Sequence, residues 1–529
     1  MPKRKCSFNV NLQAKYPFIK QSNTPSDVRC EKCRTEFSVS HSGAGDIEQH
    51  LKSEKHKNAD RPSSKDLDVA AAEGVWAYHT VQENHSFRSN DCASKLIQSC
   101  FNQKFTCART KTEAIVVNVL ARTAIEELKD DLNRSNCITI LNGASNHGNK
   151  KIFPFVVRFF QPYEGVQVKI LDLQDQPGET SDIIVNYLQK VLTDNNLTEK
   201  VVAFCGDNAN VNFGGVARRG TNNVLAKLRS SLKKPLIGIG CGAHIIHNAI
   251  KSAADGLPLD YESIIVKLYS FFYIYTVRIE ALKEFCAEAE IEHHQMLGYS
   301  KTRWLALMPA LERILKMYQP LKEYFLSIDK CPKLLKDFFE DPTSELWLYF
   351  LHAQSASFHQ AVLKIEGQTL SAIDVAKEIN QLKENLIQKQ TNQFLPFTVR
   401  TLIVKLKDNG SNIDEDFVKR TATEFYKTSS EYLEEWTCIL TKEMEIFFWA
   451  DLRTVPAWVD VQKTLDILIE KGYIDSNKDT EVFDEFTLIL NYVTSQKISE
   501  WNHLKVHTET RWVEMCDLDP RGNFLESKV

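Results

Sequence analysis

Four residues constrain the first sixty positions of this chain more than anything else in it. Cys30 and Cys33 are followed by His50 and His56, in the pattern C-x2-C-x16-H-x5-H. Paired thiolates and imidazoles at such spacings suit a tetrahedral zinc ion. The C-x2-C predicts a tight knuckle, and "DIEQHLKSEKHK" predicts one helix carrying both histidines. His41 is a spare candidate, but "HSGAG" around it reads as loop. Lys52, Lys55 and Lys57 flank the histidines and are placed to contact phosphates of DNA.

Charge separates this head from the rest. Residues 1–65 hold 13 Lys/Arg against 7 Asp/Glu, while the whole chain of 529 residues has a net charge of -4. A basic head on a mildly acidic body suggests that the head meets nucleic acid; a solvated tail is the plainer alternative. Thirteen cysteines, thinly scattered, fit a reducing compartment better than a disulfide framework. The longest apolar stretch, near "LYSFFYIYTV" (268–277), is about half of what a membrane span needs. "MPKRKC" is basic and has no apolar core, so no secretory signal is expected.

"NADRPSSKDLD" (58–68) reads as a linker. From about Val69 to Leu128 the apolar residues recur at helix period, with Arg88, Lys104, Arg109 and Lys111 among them. These cations suggest a second DNA-contact surface, with a plain helical packing layer as the alternative. From Cys137 the pattern changes. "CITILN" (137–142), "KIFPFVVRFF" (151–160), "VQVKILDL" (166–173), "KVVAFCGD" (200–207) and "PLIGIGC" (235–241) read as strands. "GETSDIIVNYLQKVLTDNN", capped by Thr180 or Ser181, "TNNVLAKLRSSL" and "GAHIIHNAIKSAA" read as the intervening helices. The order β-β-β-α-β-α-β-α predicts a ribonuclease-H-like mixed sheet, with the first strand central and the fourth beside it. Residues 259–516 are helical by period; "SAIDVAKEINQLKENLIQK" (371–389) opens with a Ser-x-x-Asp cap. The fold expected is therefore α+β or α/β: a small N-terminal finger, a mixed-sheet core and a large all-α region.

Several motifs resemble the hAT-type transposases and proteins derived from them. They are "GASNHGNKKIFPFVVRFF" (143–160), "GDNANVNFGG" (206–215), "CGAHIIHNAIK" (241–251) and "SKTRWLALMPALERIL" (300–315), in the family's order. The finger resembles the BED or matrin type. The resemblance covers roughly residues 25–516. It implies a ribonuclease-H-like core (131–256) interrupted by an all-α insertion (257–516), which follow the finger segment (1–66) and the helical region (67–130), a possible DNA-binding region, already read from the residues. It also implies DNA cleavage and strand transfer by two Mg²⁺ ions held on Asp, Asp and Glu.

Compared acid by acid, Asp207 matches the second family aspartate. The first belongs where this chain has Gly143, since the family reads Asp-Ala-Ser-Asn and this chain reads "GASN". Asn142 is no substitute, because one step along a strand turns the side chain to the other face. After "TETRWVEMC" (508–516) the segment 517–529 diverges from the family's Glu-Arg motif and dimerisation region. Glu514 and Glu526 are the first places to look for a third acid, and Asp172 and Asp175 are candidate replacement ligands. Lys301, Arg303 and Trp304 could grip a strand and stack on a base, or start a packed helix. Cys241, His244 and His247 could bind metal, or cap and pack the helix after the fifth strand. The expectation is a domesticated, DNA-binding nuclear protein with structural zinc and no strand transfer, needing Mg²⁺ only if the core is active. An active transposase and a protein-binding regulatory factor are the alternatives.

Overall fold

A computed structural model describes residues 6–59, 64–215, 220–298, 304–367 and 370–517. The protein forms two compact units divided between Glu127 and Leu128.

In the first unit, β1 (Ile19–Gln21), β2 (Asp27–Cys30) and β3 (Glu36–Ser38) make an antiparallel sheet. Ile19, Val28 and Cys30 point inward and meet Val39, Ile47 and Tyr16 in a small core. The two histidines do not share a helix. His50 lies on Ala44–Leu51 and His56 on a separate short helix, Glu54–Ala59. The reason is angular: at about 100° per residue, six positions on a continuous helix turn two side chains about 240° apart. Ser53 makes the break, its hydroxyl accepting from His56 N–H at 3.3 Å. The first helix is held at its start by the Asp46 carboxylate, which accepts from the N–H groups of His41, Ser42 and Gly43.

The expected linker is mostly helix: Ser64–Gln82 begins within it, and only residues 60–63 lie outside the described ones. Helices Asn90–Cys100, Arg109–Ile115 and Ala121–Arg134 follow, the last two joined by a π-turn at Val116–Leu120. A buried polar network holds helices Ser64–Gln82, Asn90–Cys100 and Arg109–Ile115 together. Asn90 donates to Thr80 Oγ1 and Thr112 Oγ1, both at 3.1 Å, and accepts from Trp76 Nε1 at 3.1 Å.

In the second unit, β4 (Ile138–Asn142), β5 (Ser145–His147), β6 (Lys150–Gln161), β7 (Gly165–Gln176), β8 (Val201–Gly206) and β9 (Ile237–Gly240) form one mixed sheet. β4 is central, antiparallel to β6 and parallel to β8; β9 adds parallel to β8, and β7 pairs antiparallel with β6. Alternation gives one face Ile138, Ile140, Phe153, Phe155, Val157 and Phe204. Helices Ser181–Asp194 and Val224–Leu232 cover it through residues such as Leu188 and Leu228. Thr180 is the cap of the first, accepting from Ile183 N–H.

Helix Gly242–Ala254 leaves β9 and turns its apolar side, Ile245, Ile246 and Ile250, into a separate helical core. That core is built on helices Ser344–Ile365, Ala372–Thr391 and Glu415–Met444. The Ser371 cap forms as a reciprocal pair with Asp374, both backbone bonds 3.1 Å long. The stretch 261–286 is two helices, Tyr261–Phe272 and Thr276–Glu288. Helix Thr508–Asp517 returns to the sheet: at Gly165, where φ is +79°, an added Cβ would lie 3.5 Å from Val513 and 3.9 Å from Glu509. No described helix is long and apolar enough to cross a membrane.

Candidate functional site

The knuckle and the two short helices bring four ligand atoms together. The sulfur of Cys30 is 3.4 Å from His56 Nδ1, and that of Cys33 is 3.2 Å from His50 Nε2. All four ligand atoms lie within 4.8 Å of one another. A tetrahedral ion with bonds of about 2.0–2.3 Å has ligand-to-ligand edges of roughly 3.3–3.8 Å, so the cluster can close on a metal such as zinc with little movement. Cys30, His50 and His56 are buried. Phe37 stacks on the His50 ring at 4.2 Å, and Phe18 tilts toward His56 at 6.1 Å.

Two of the ligands, His50 and Cys33, are shifted toward the form that binds an ion. Burial, then the neighbouring His56 and Lys55, hold His50 below its usual range, which favours the neutral ring that can ligate. Burial pushes the Cys30 thiol up. Burial pushes Cys33 up as well, but hydrogen bonds from Thr35, His56 and Cys30 outweigh it and bring that thiol to about 7. Metal binding would displace the remaining thiol protons. His41 is exposed and outside the cluster. Lys52, Lys55 and Lys57 are all exposed beside it; only Lys57 has an ion partner among the described residues, the more exposed Glu54 at 3.9 Å.

The helical layer treats its cations differently. Lys104 pairs with Asp66 at 2.7 Å, Arg109 with Asp91 at 3.9 Å, and Lys111 with the buried Glu73 at 2.5 Å. Lys111 is committed to packing by its buried partner, whereas Lys104 and Arg109 sit in exposed pairs and Arg88 is exposed, so the plain-layer expectation is favoured at Lys111 alone.

At the carboxyl ends of the parallel strands the acids are sparse. β4 pairs with β8 through Leu141 and Cys205. Two residues on, the same register sets Gly143 beside Asp207. A Cβ at Gly143 would meet nothing within 4 Å. Asp207 itself serves the turn: its Oδ1 accepts from Ala209 N–H at 3.0 Å and from Asn212 Nδ2 at 2.8 Å. Asp172 is paired through Phe155 with Asn142, which puts it on the face opposite Gly143. Asp175 is bound to Lys150 at 3.1 Å. Neither is placed to replace the missing carboxylate.

Helix Thr508–Asp517 supplies none either. Glu514 accepts from Trp501 Nε1 and Tyr492 Oη and pairs with Lys497 at 3.3 Å. Glu509 packs by Gly165, which pairs with Gln161 at the other end of β6 from Asp207. Its buried Oε2 has no hydrogen-bond partner. Sequence period gave no hint of this acid, because its burial depends on a sheet far back in the chain.

Cys241 is the N-cap of helix Gly242–Ala254, and His247 Nδ1 accepts from Leu305 N–H at 3.3 Å. Among the described residues, the finger cluster is the one metal-ligating group found. Lys301, Arg303 and Glu526 lie outside the described residues, as does the side chain of Trp304.

Fold and site together define a mixed α+β protein with a small N-terminal sheet and a Cys₂His₂ cluster able to hold a metal ion. Compared with known proteins, the chain matches no family model and no curated sequence.

Proposed function

We propose that this chain is a zinc-dependent DNA-binding protein of the nucleus, derived from a hAT-type transposase and without strand-transfer activity. The observation that carries the reading is the closed Cys30, Cys33, His50, His56 cluster with three exposed lysines beside it. Four protein ligands leave no open position, so the ion is structural rather than catalytic. It fixes the two short helices, and with them the spacing of Lys52, Lys55 and Lys57 against the phosphate backbone.

The sheet order supports a ribonuclease-H-like ancestry, since the third, second, first, fourth and fifth long strands run side by side. Two-metal strand transfer needs carboxylates that bridge both ions. Glycine at position 143 and the turn role of Asp207 argue against it, and Mg²⁺ has no part in this reading.

The test uses the full chain and duplex DNA across a salt series. Each lysine that neutralises a phosphate contributes roughly 0.9 to the slope of log affinity against log salt. Replacing Lys52, Lys55 and Lys57 by Gln is expected to flatten that slope by about 2–3 and to weaken binding at low salt. An unchanged slope would remove the finger from the DNA interface.

A second reading, a protein-binding factor, is favoured by one surface. Helix Ser64–Gln82 keeps its polar network inside and exposes Leu67, Val75, Tyr78 and Val81. Val75, Tyr78 and Val81 recur at helix spacing, so they form one exposed apolar stripe, and contiguous apolar patches mark contact sites. Tyr78→Asp with DNA affinity intact but a cellular partner lost would select it.

A further inference from the structure

At the edge of the sheet, β9 has a strand neighbour on one side only. Beside it lies a cavity of about 200 Å³. Its walls come from three places: the approach to β9 (Leu236, Ile237), the 3₁₀ segment Glu445–Asp451 through Phe447, and helix Trp458–Glu470 through Ile467. The lining is mainly apolar, yet Arg229 and Lys471 both reach it. Arg229 spends its Nε on the carbonyl of Leu236 at 2.8 Å, which leaves its terminal nitrogens available. Neither Arg229 nor Lys471 has a carboxylate partner among the described residues. The one hydroxyl in the lining, that of Tyr473, is already given to Pro235 O at 2.9 Å.

An apolar wall with two unpaired cations at its margin asks for a ligand of matching build. A neutral apolar molecule would leave the positive potential unanswered, and a small inorganic anion would leave the walls wet. Size narrows the class further: a cavity of roughly 150 Å³ takes benzene. We propose that this pocket binds a small amphipathic carboxylate, an aromatic acid of one or two rings. The ring packs against Ile237, Phe447 and Ile467, and the carboxylate faces Arg229 and Lys471. The ligand braces the β9 edge against the two segments that cover it. None of the DNA-binding reading is needed for this site.

The experiment titrates the full chain with 2-naphthoate, and with 2-naphthylmethanol as its neutral counterpart, by isothermal calorimetry. Saturable one-to-one binding, millimolar or tighter, is expected for a ligand of this size. The acid should bind about tenfold more tightly than the alcohol, because a charge-assisted bond replaces a neutral one. Lys471→Glu, at an exposed position, should abolish the preference for the acid while leaving the alcohol unaffected. Ile467→Trp should remove binding of both by filling the cavity. Absence of saturation at 10-fold above the millimolar range, equal affinity for acid and alcohol, or full binding by a folded Ile467→Trp chain each overturns the proposal. Should Ile467→Trp fail to fold, the acid-to-alcohol ratio in Lys471→Glu still decides it.

Discussion

Glu73 ties the helical layer of the first unit together from the middle of its longest helix. It is buried, pairs with Lys111, and accepts from Thr106 N–H at 2.7 Å. Burial pushes its carboxyl up, but the Lys111 ammonium and the Thr106 donors outweigh that and hold it below the usual value of 4.5. A depressed folded value means the stabilisation is complete above the ordinary carboxylate range and is lost as pH falls through the depressed one. Thermal unfolding of the first unit should therefore lose stability below about pH 4.5, and Glu73→Gln should flatten that loss. At pH 7 the same variant should cost about 1–3 kcal/mol, read by denaturant titration. Nothing local to Glu73 marks this role. Sequence period tells which side of a helix is apolar, but Lys111 and Thr106 meet Glu73 across more than thirty positions, so Lys111 reads as a free cation until the fold is known. The ligand quartet is the opposite case. Cys30, Cys33, His50 and His56 are legible because metal chemistry admits few residue types at few spacings. Cys30→Ser is expected to take metal content from about one ion per chain to near zero, measured by mass spectrometry of the metal in the purified protein. An unchanged content would dismiss the quartet as a site.

Among the elements, β4, β6, β7, β8 and β9 were legible from composition and alternation, whereas the three short strands of the N-terminal sheet and β5 were too brief to show a period. β6 and β7 alternate clearly enough to read, and helix Ser181–Asp194 begins at a Thr cap that the sequence displays. Ser371 and Asp374 likewise announce their helix, and Ser371→Ala should cost about 1 kcal/mol in a denaturant titration. Two helix breaks were hidden as well. The break between Ala44–Leu51 and Glu54–Ala59 follows from the ligands' angular demand, which a helix-period reading ignores. The turn at residues 273–275 interrupts an unbroken apolar pattern, and it leaves Tyr273 and Ile274 exposed between helices Tyr261–Phe272 and Thr276–Glu288. The adjoining ends of β4 and β8 lead to a sharper expectation. Gly143 is open to a side chain, so Gly143→Asp should fold normally and set a carboxylate beside Asp207. Two carboxylates can share one Mg²⁺, but Glu514 is engaged elsewhere and Glu509 lies at the other end of the sheet. The variant should bind Mg²⁺ at millimolar concentration, followed by calorimetry, and still fail to join transposon-end DNA. Clear joining would mean that a further acid completes the site.

For the molecule as a whole, division into two units after Glu127 differs from the finer segmentation that sequence suggests. Sheet and helical region form one body, because helix Gly242–Ala254 belongs to the helical core while its chain issues from β9. Chelation should therefore act unevenly. EDTA is expected to lower the unfolding temperature of the first unit and leave that of the second within about a degree, seen as a separation of two calorimetric transitions. A common shift of both would show that the units unfold together.

The return of helix Thr508–Asp517 to Gly165 sets a timetable for biogenesis. About 340 residues of synthesis separate the β6–β7 hairpin from the helix that covers its end. At typical translation speeds the emerging polypeptide spends roughly 20–70 s with that surface open. Contacts so distant along a chain are also slow to form, since loop closure must precede their reward. That end of the hairpin stays uncovered until the last described helix is made, an interval in which a holdase chaperone could shield it.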